Sequence, residues 1–297
     1  MLKFISKVLI IFIIGLGCIY FFKEEVSPKI LTKETKGTTT YEVYNYNEFY
    51  NSIKFSIKNV EPSINIIFKN DYLKNDKKTV LETADKLIKT LGPGSYIKEY
   101  SITHNKSNIY EFYTIKYKYE KDINEIKKQS EEVDRLSEKA VKKIIKPSMT
   151  DFEKEKAIHD YIVNITKYDS ENFEKGTTPI ESHTAYGVFV NKVAVCEGYS
   201  IAMKKMLDYV GIESHIVIGE AGGYNHAWNL VNLEGEWYHV DATWDDPVYI
   251  VNGKQVNMLS YDYFNLTDAE IKKTHKFNES NYPKATSKRF SLKSPSK

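Results

Sequence analysis

Cysteine is nearly absent from this sequence: 297 residues hold two, Cys18 and Cys196. Cys18 sits in the apolar N-terminal stretch, so Cys196 has no partner in the rest of the chain and a disulfide framework is excluded. Net charge is nearly absent too. Lysine and arginine number 42 against 40 acids, a formal +2, and no basic stripe carries interleaved aromatics, which argues against nucleic acid as a partner. No set of histidine, cysteine and carboxylate has zinc spacing, no acidic loop resembles an EF-hand, and "GEAGG" lacks the GK[ST] of a phosphate loop. No metal and no cofactor is expected.

One long hydrophobic run is present, at the N-terminus. Lys3 and Lys7 precede an apolar run from Val8 to Phe22, and Glu24 and Glu25 follow it. No small-residue cleavage site ends the run, which favours an uncleaved signal anchor over a removed signal peptide. Gly15 stands where a lipoprotein signal would carry Leu, so Cys18 reads as one more packed apolar side chain. Residues 1–22 are therefore expected to form a single membrane-anchoring helix, with the rest of the chain outside the cell. Residues 23–40, ending in "TKGTTT", lack periodicity and read as a polar tether.

At 41% hydrophobic, the remainder can bury one large core or two ordinary ones. Residues 41–120 read as a small α+β domain of unknown role. "NEFYNSIKFSI" and "TVLETADKLIKTLG" have helical spacing, "SINIIF" is a short strand, and "YIKEYSI" and "IYEFYTIKYKY" alternate as paired strands. His104 falls there in an expected turn. A charged helix over 121–148 carries Ile126, Val133 and Val141 near one stripe, as a connector packed on one side would. "TDFE" at 150–153 is then a capping box that opens the next helix, so a second domain begins near residue 149 and runs to about 283, before a polar tail at 284–297.

Within that domain, "VAVCEGYSIAMKKML" places Cys196 where a helix starts, with Tyr199, Met203, Met206 and Leu207 at core spacing behind it. Unsatisfied amides and the positive end of the helix dipole favour a thiolate there. "NHAWNLVNLEGEWYHVDATWDDP" reads as two strands joined at Glu234-Gly235. A turn of two or four residues sets His226 against Thr243 and Trp228 against Asp241, so His226 and Asp241 become diagonal neighbours on one face. An odd-length loop would part them. Taken singly, Cys196 is a small buried hydrophobe and His226 a core histidine; together with Asp241 they have the makings of a nucleophile, a base and an orienting acid. His239 shares the face of Asp241, but lies away from the glycine-rich approach and is read as structural, as are His159 and His215. His183, Tyr199 and Trp228 are candidates to line a substrate cleft, Trp228 as a roof on the face of His226. Asp245-Asp246-Pro247 reads as a turn closing the strand.

"VCEGYS", "HAWN" and "YHVDATWDDP", in that order and spacing, resemble the transglutaminase-like superfamily, whose core is related to papain-type proteases. "EKAIHDYIVNITKYD" and "HTAYGVFVNKVAVC" upstream, and "YDYFNLTDAEIKKTHKFNESNYP" downstream, extend the resemblance over residues 149–283; nothing comparable reaches the first 120. The resemblance implies an α+β papain-related fold, with a helix-borne Cys196 packed on an antiparallel sheet, and a triad of Cys196 as nucleophile, His226 as base and Asp241 as its partner. It implies acyl transfer from an amide, through a thioester, to an amine or water. The large animal transglutaminases have Gly-Gln before the cysteine and Trp-Val after it. Here Ala194-Val195 and Glu197-Gly198 take those places, and their oxyanion-stabilising indole has no assignable counterpart. A cysteine peptidase or amidase of the same fold, and an inactive module that binds cell-wall or peptide ligands, stay open beside acyl transfer. The expected substrate is a protein or peptide, with cell-wall peptide among the candidates.

Overall fold

The structure, a computed structural model, describes residues 30–33, 38–70, 76–106, 111–251 and 254–292. The N-terminal anchor expected over 1–22 lies outside them, and among the described residues no helix is long and apolar enough to cross a membrane.

The first layer is a five-stranded sheet. In chain order it comprises β1 (Ile30–Lys33), β2 (Thr38–Val43), α1 (Tyr46–Lys58), β3 (Ser63–Phe68), α2 (Lys77–Thr90), β4 (Ile97–Lys106) and β5 (Glu111–Tyr119). The spatial order is β1-β2-β3-β5-β4, with β2 and β3 parallel across α1 and the other pairs antiparallel. Asn45 caps α1 by accepting from the Glu48 amide, and Phe49, Ile53 and Ile57 recur every four residues on its buried face. Asp76 caps α2 in the same way, and Val80, Ala84 and Leu87 turn inward.

Two differences from the sequence reading appear in this layer. The expected tether holds β1 and the start of β2: Thr39 and Thr40 are buried, and the Thr39 hydroxyl donates to Glu61 at 2.8 Å. Threonine suits a strand through its β-branch, and a side-chain partner replaces the apolar alternation that would have marked it. His104 lies within β4 rather than in a turn, stacked on Tyr113 with ring centroids 4.6 Å apart.

Helix α3 (Ile123–Ile144) links this layer to the rest and buries Ile126, Val133, Ala140 and Val141. Helix α4 (Asp151–Ile165) opens with the capping box: the Thr150 hydroxyl accepts from the Glu153 amide, and the Glu153 carboxylate accepts from the Thr150 amide. Next come β6 (Lys167–Tyr168), α5 (Ser170–Lys175), β7 (Val193–Ala194) and α6 (Cys196–Tyr209). Then follow β8 (Ser214–Ala221), β9 (Tyr224–Leu233), β10 (Glu236–Val240), β11 (Val248–Val251), β12 (Lys254–Asn257), α7 (Asp268–Ile271) and β13 (His275–Phe277). Strands β10-β9-β8-β13 form an antiparallel sheet in that order.

Helix α6 packs across this sheet. Its buried Tyr199, Met203, Met206 and Leu207 share a core with Ile216 and Val231. Each such side chain, fully buried, contributes about 1.5–3 kcal/mol relative to exposure. The chain does not leave the domain at residue 283. Ala285 is buried, and Phe290 stacks on Phe152 of α4 at 5.3 Å, so residues 284–292 complete the core instead of forming a polar tail.

Candidate functional site

The hairpin of β9 and β10 sets one half of the site. Its two-residue turn has positive φ at both positions, 54° at Glu234 and 87° at Gly235, the backbone that keeps paired strands in a right-handed twist. The register runs from Leu233 opposite Glu236 to Asn229 opposite Val240. Continued past Val240, it sets Asp241 opposite Trp228 and diagonal to His226. The His226 Nε2–H donates to Asp241 Oδ2 at 2.7 Å.

Helix α6 sets the other half. Val195 precedes it in extended conformation and offers no side-chain cap, so the first-turn amides have no partner within the helix. Gly198 lets that turn press close to its surroundings: a Cβ there would lie 2.7 Å from the Ser182 carbonyl and 2.9 Å from that of Thr184. Cys196, at the first helical position, lies near enough to His226 to act on its imidazole. With Nε2 spent on Asp241, Nδ1 is the ring nitrogen left for the thiol. Both groups are nearly enclosed, Cys196 at 7% exposure and His226 at 8%.

Burial opposes charge on His226, but the charge and hydrogen bond of Asp241, aided by Cys196, outweigh it and raise the imidazole pKa to about 10. Burial likewise opposes ionisation of Asp241. The His226 charge, and hydrogen bonds from His226 and His275, overcome it and hold the carboxyl well below its usual range. The Asp241 Oδ1 accepts from the amides of Thr243 at 3.0 Å and Trp244 at 3.2 Å. A thiol, an imidazole and an ionised carboxylate thus stand near one another, as nucleophilic catalysis requires.

The other candidates fall elsewhere. Trp228 is 1% exposed and stacks beside His226 at 6.0 Å, with its Nε1–H donated to His239. It is a buried wall behind the imidazole, not a roof open to substrate. Tyr199 is also buried, its hydroxyl donating to Asp246 at 2.6 Å; that bond ties α6 to the end of the hairpin and keeps the phenol out of any cleft. Helical spacing marked Tyr199, and strand alternation Trp228, as inward-facing, and inward here means core. His183 is half-buried, with Nδ1 on the Glu197 carboxylate, a pairing that engages the one acid in the first turn of α6. His239 is enclosed, between Trp228 and Asp268, and burial lowers its pKa to about 4. His159 lies in a buried pair with Asp245 at 3.1 Å.

Two residues near the site were not singled out by sequence. Tyr168 in β6 pairs with Ala194 two residues before the thiol, and burial, then the charges of Cys196 and Asp241, push its hydroxyl pKa up. His275 in β13 donates from Nε2 to Asp241 Oδ2 at 3.0 Å. The His226, Asp241 and His275 ligand atoms lie within 4.8 Å of one another, a convergence that these two hydrogen bonds account for.

Residues 138–242 match the transglutaminase-like superfamily. This part of the chain is a transglutaminase-like domain. It resembles the kyphoscoliosis peptidases of Mus musculus and Homo sapiens, each at 24% identity, over 139 and 143 residues. Those alignments cover 43% of this chain and 21% of each relative, so the chain spans about a fifth of the length of the curated relatives it matches. A solved TGase structure overlaps at 19% identity and a TM-score of 0.34, covering 68% of this chain and 59% of that one. Cys196, His226 and Asp241 all fall inside the transglutaminase-like match, and His275 falls outside it.

Proposed function

We propose that the transglutaminase-like domain is a thiol acyltransferase acting on amides, with Cys196 as nucleophile, His226 as general base and acid, and Asp241 as the group that orients His226. The observation that carries this reading is the buried His226–Asp241 pair, bonded at 2.7 Å, with Cys196 near the imidazole at the start of α6. The Cys196 thiolate attacks the amide carbon, and a C–S bond forms as the carbonyl pair moves to oxygen. His226 passes its proton to the departing nitrogen, the C–N bond breaks, and a thioester and free ammonia or amine result. An incoming amine or water then attacks the thioester and yields its proton to His226, the C–S bond breaks, and the thiolate returns. The slight exposure of thiol and imidazole favours a thin reactive group, such as a glutamine carboxamide at the end of its methylene stem. A second reading, a cysteine peptidase that always uses water, is favoured by the names of the relatives.

Location at the cell surface belongs to the same proposal, on the strength of the apolar run from Val8 to Phe22. One experiment addresses both. A membrane-impermeant haloacetamide probe applied to intact cells should label Cys196, located by peptide mapping, and the label should vanish in Cys196→Ala. In purified protein, His226→Ala should slow labelling more than about tenfold, since the thiolate loses its counter-ion. Ammonia release from a glutamine peptide, raised by a primary amine, would mark acyl transfer; cleavage of the peptide backbone without amine would mark the peptidase. A folded protein whose Cys196 resists the probe even after lysis would leave the inactive binding module.

A further inference from the structure

Asp241 holds two imidazoles, and the second has no place in a three-residue relay. His275 is 1% exposed, and its Nε2–H donates to the same Oδ2 that accepts from His226. Its Nδ1 is bonded to the Thr274 hydroxyl at 2.8 Å. Its ring is enclosed by Trp244 at 4.7 Å, Trp228 at 4.9 Å and Tyr263 at 5.6 Å. Strand β13 brings it there by pairing His275 with Ala221 at the far edge of the sheet. A buried histidine needing only to be satisfied could use any backbone carbonyl; this one is aimed at a single oxygen already in use.

We propose that His275 is a positioning residue that tempers Asp241, setting how tightly His226 holds its proton. This inference rests on the reading of His226 as the base. A hydrogen bond given to a carboxylate oxygen draws on its charge, and less of that charge is left to stabilise a neighbouring imidazolium. Asp241 unopposed would trap the proton on His226. With His275 donating to the same oxygen, His226 releases it more readily to the leaving nitrogen. The titratable groups around this pair are Asp241 itself, the Cys196 thiol on His226, His239 and Tyr263 beside His275, and Asp245 and Tyr168 acting on Asp241. Among these, only His226 and His275 donate a side-chain hydrogen bond to Asp241 Oδ2.

The test reads protonation, not turnover. In full-length protein labelled with 15N-histidine, the ring nitrogens of His226 and His275 are followed by NMR against pH. The His275 Nε2 proton should be visible, downfield, and should move as His226 titrates. His275→Leu, which removes the donor, should raise the His226 titration by about one pH unit, tenfold in proton affinity. His275→Gln, whose amide can donate in place of Nε2–H, should restore it to within about a third of that shift. A leucine variant that folds but leaves the His226 titration in place overturns the proposal. Should that variant fail to fold, a wild-type His275 resonance indifferent to the His226 titration overturns it as well. No substrate enters the measurement, so a protein without acyl-transfer activity would sink the functional reading and leave this result standing.

Discussion

Asp241 is surrounded by donors alone: two imidazole N–H groups on Oδ2 and two backbone amides on Oδ1. An ionised carboxylate, which only accepts, is the side chain that fits such a shell. Asn in its place must present an NH₂ group to at least one of those donors. It either turns His226 to the wrong tautomer or leaves a buried N–H unpaired. Asp241→Asn should therefore cut turnover on the order of 10³–10⁴-fold while keeping the fold. Asp246, five residues on, makes the contrast. It accepts from Tyr199 at 2.6 Å, and burial raises its pKa to about 6, so an amide oxygen can replace the carboxylate with modest loss. Asp246→Asn should cost about 1 kcal/mol of stability and leave turnover within about threefold. Thermal melts and ammonia release from a glutamine peptide, run on both variants, separate the two. Parallel losses of activity and melting temperature in both would show that Asp241 acts only through stability.

Among the elements, those set by local chemistry were legible in the sequence, and those set by distant partners were not. The β9–β10 register followed from the two-residue turn at Glu234-Gly235, and with it the diagonal of His226 and Asp241. The start of α6 followed from apolar spacing, and the α4 capping box from Thr150 and Glu153. Strand β2 was missed because the Thr39 hydroxyl finds its partner, Glu61, 22 residues away. The site of His275 depends on β13 reaching the edge of a sheet 34 residues from Asp241, and no spacing rule carries that far. Trp228 and Tyr199 were misjudged as cleft residues because periodicity gives a face but not its depth. The crowded entry of α6 was likewise beyond pattern reading. Gly198→Ala would drive a methyl to 2.7 Å from one carbonyl and 2.9 Å from another, and neither is the end of a flexible side chain. The first turn must then lift away from residues 182–184. The expected result is a loss of about 1–3 kcal/mol together with slower alkylation of Cys196. A variant equal to wild type in both would mean that the helix entry is not held by this contact.

At the scale of the molecule, buried titratable groups tie the segments of the second domain together, and they set its response to pH. Glu155 on α4 is fully buried and accepts from the Asn265 amide at 2.9 Å, while Asn265 also donates to the carbonyl of Phe290 in the closing segment. Burial raises the Glu155 pKa to about 8, with Asn265 opposing. His159, one turn further on, is disfavoured as a cation by burial, yet its bonds to Asp160 and Asp245 raise it to about 9. Both groups bind a proton more tightly when folded than when unfolded. Their contributions are complete below the unfolded values, ordinarily 4.5 for Glu and 6.5 for His, and are lost as pH climbs through about 8 and about 9. Glu270 has the opposite sign: burial would raise it, but the Thr267 amide and Lys288 hold it at about 2, so its contribution is lost only in acid. Stability should therefore peak at about pH 4.5–5 and fall toward pH 9.5, first as Glu155 and then as His159 loses its contribution, by several kcal/mol in all. Glu155→Gln isolates the largest step. Gln is neutral at every pH and can still accept from Asn265. It should match or fall slightly below wild type at pH 5, and exceed it by roughly 2 kcal/mol or more at pH 9, so that the two melting curves cross. Denaturant unfolding of both proteins at half-unit pH intervals measures the crossing. Parallel curves over the whole range would mean that Glu155 is ionised inside the fold at neutral pH, with a buried partner for its second oxygen.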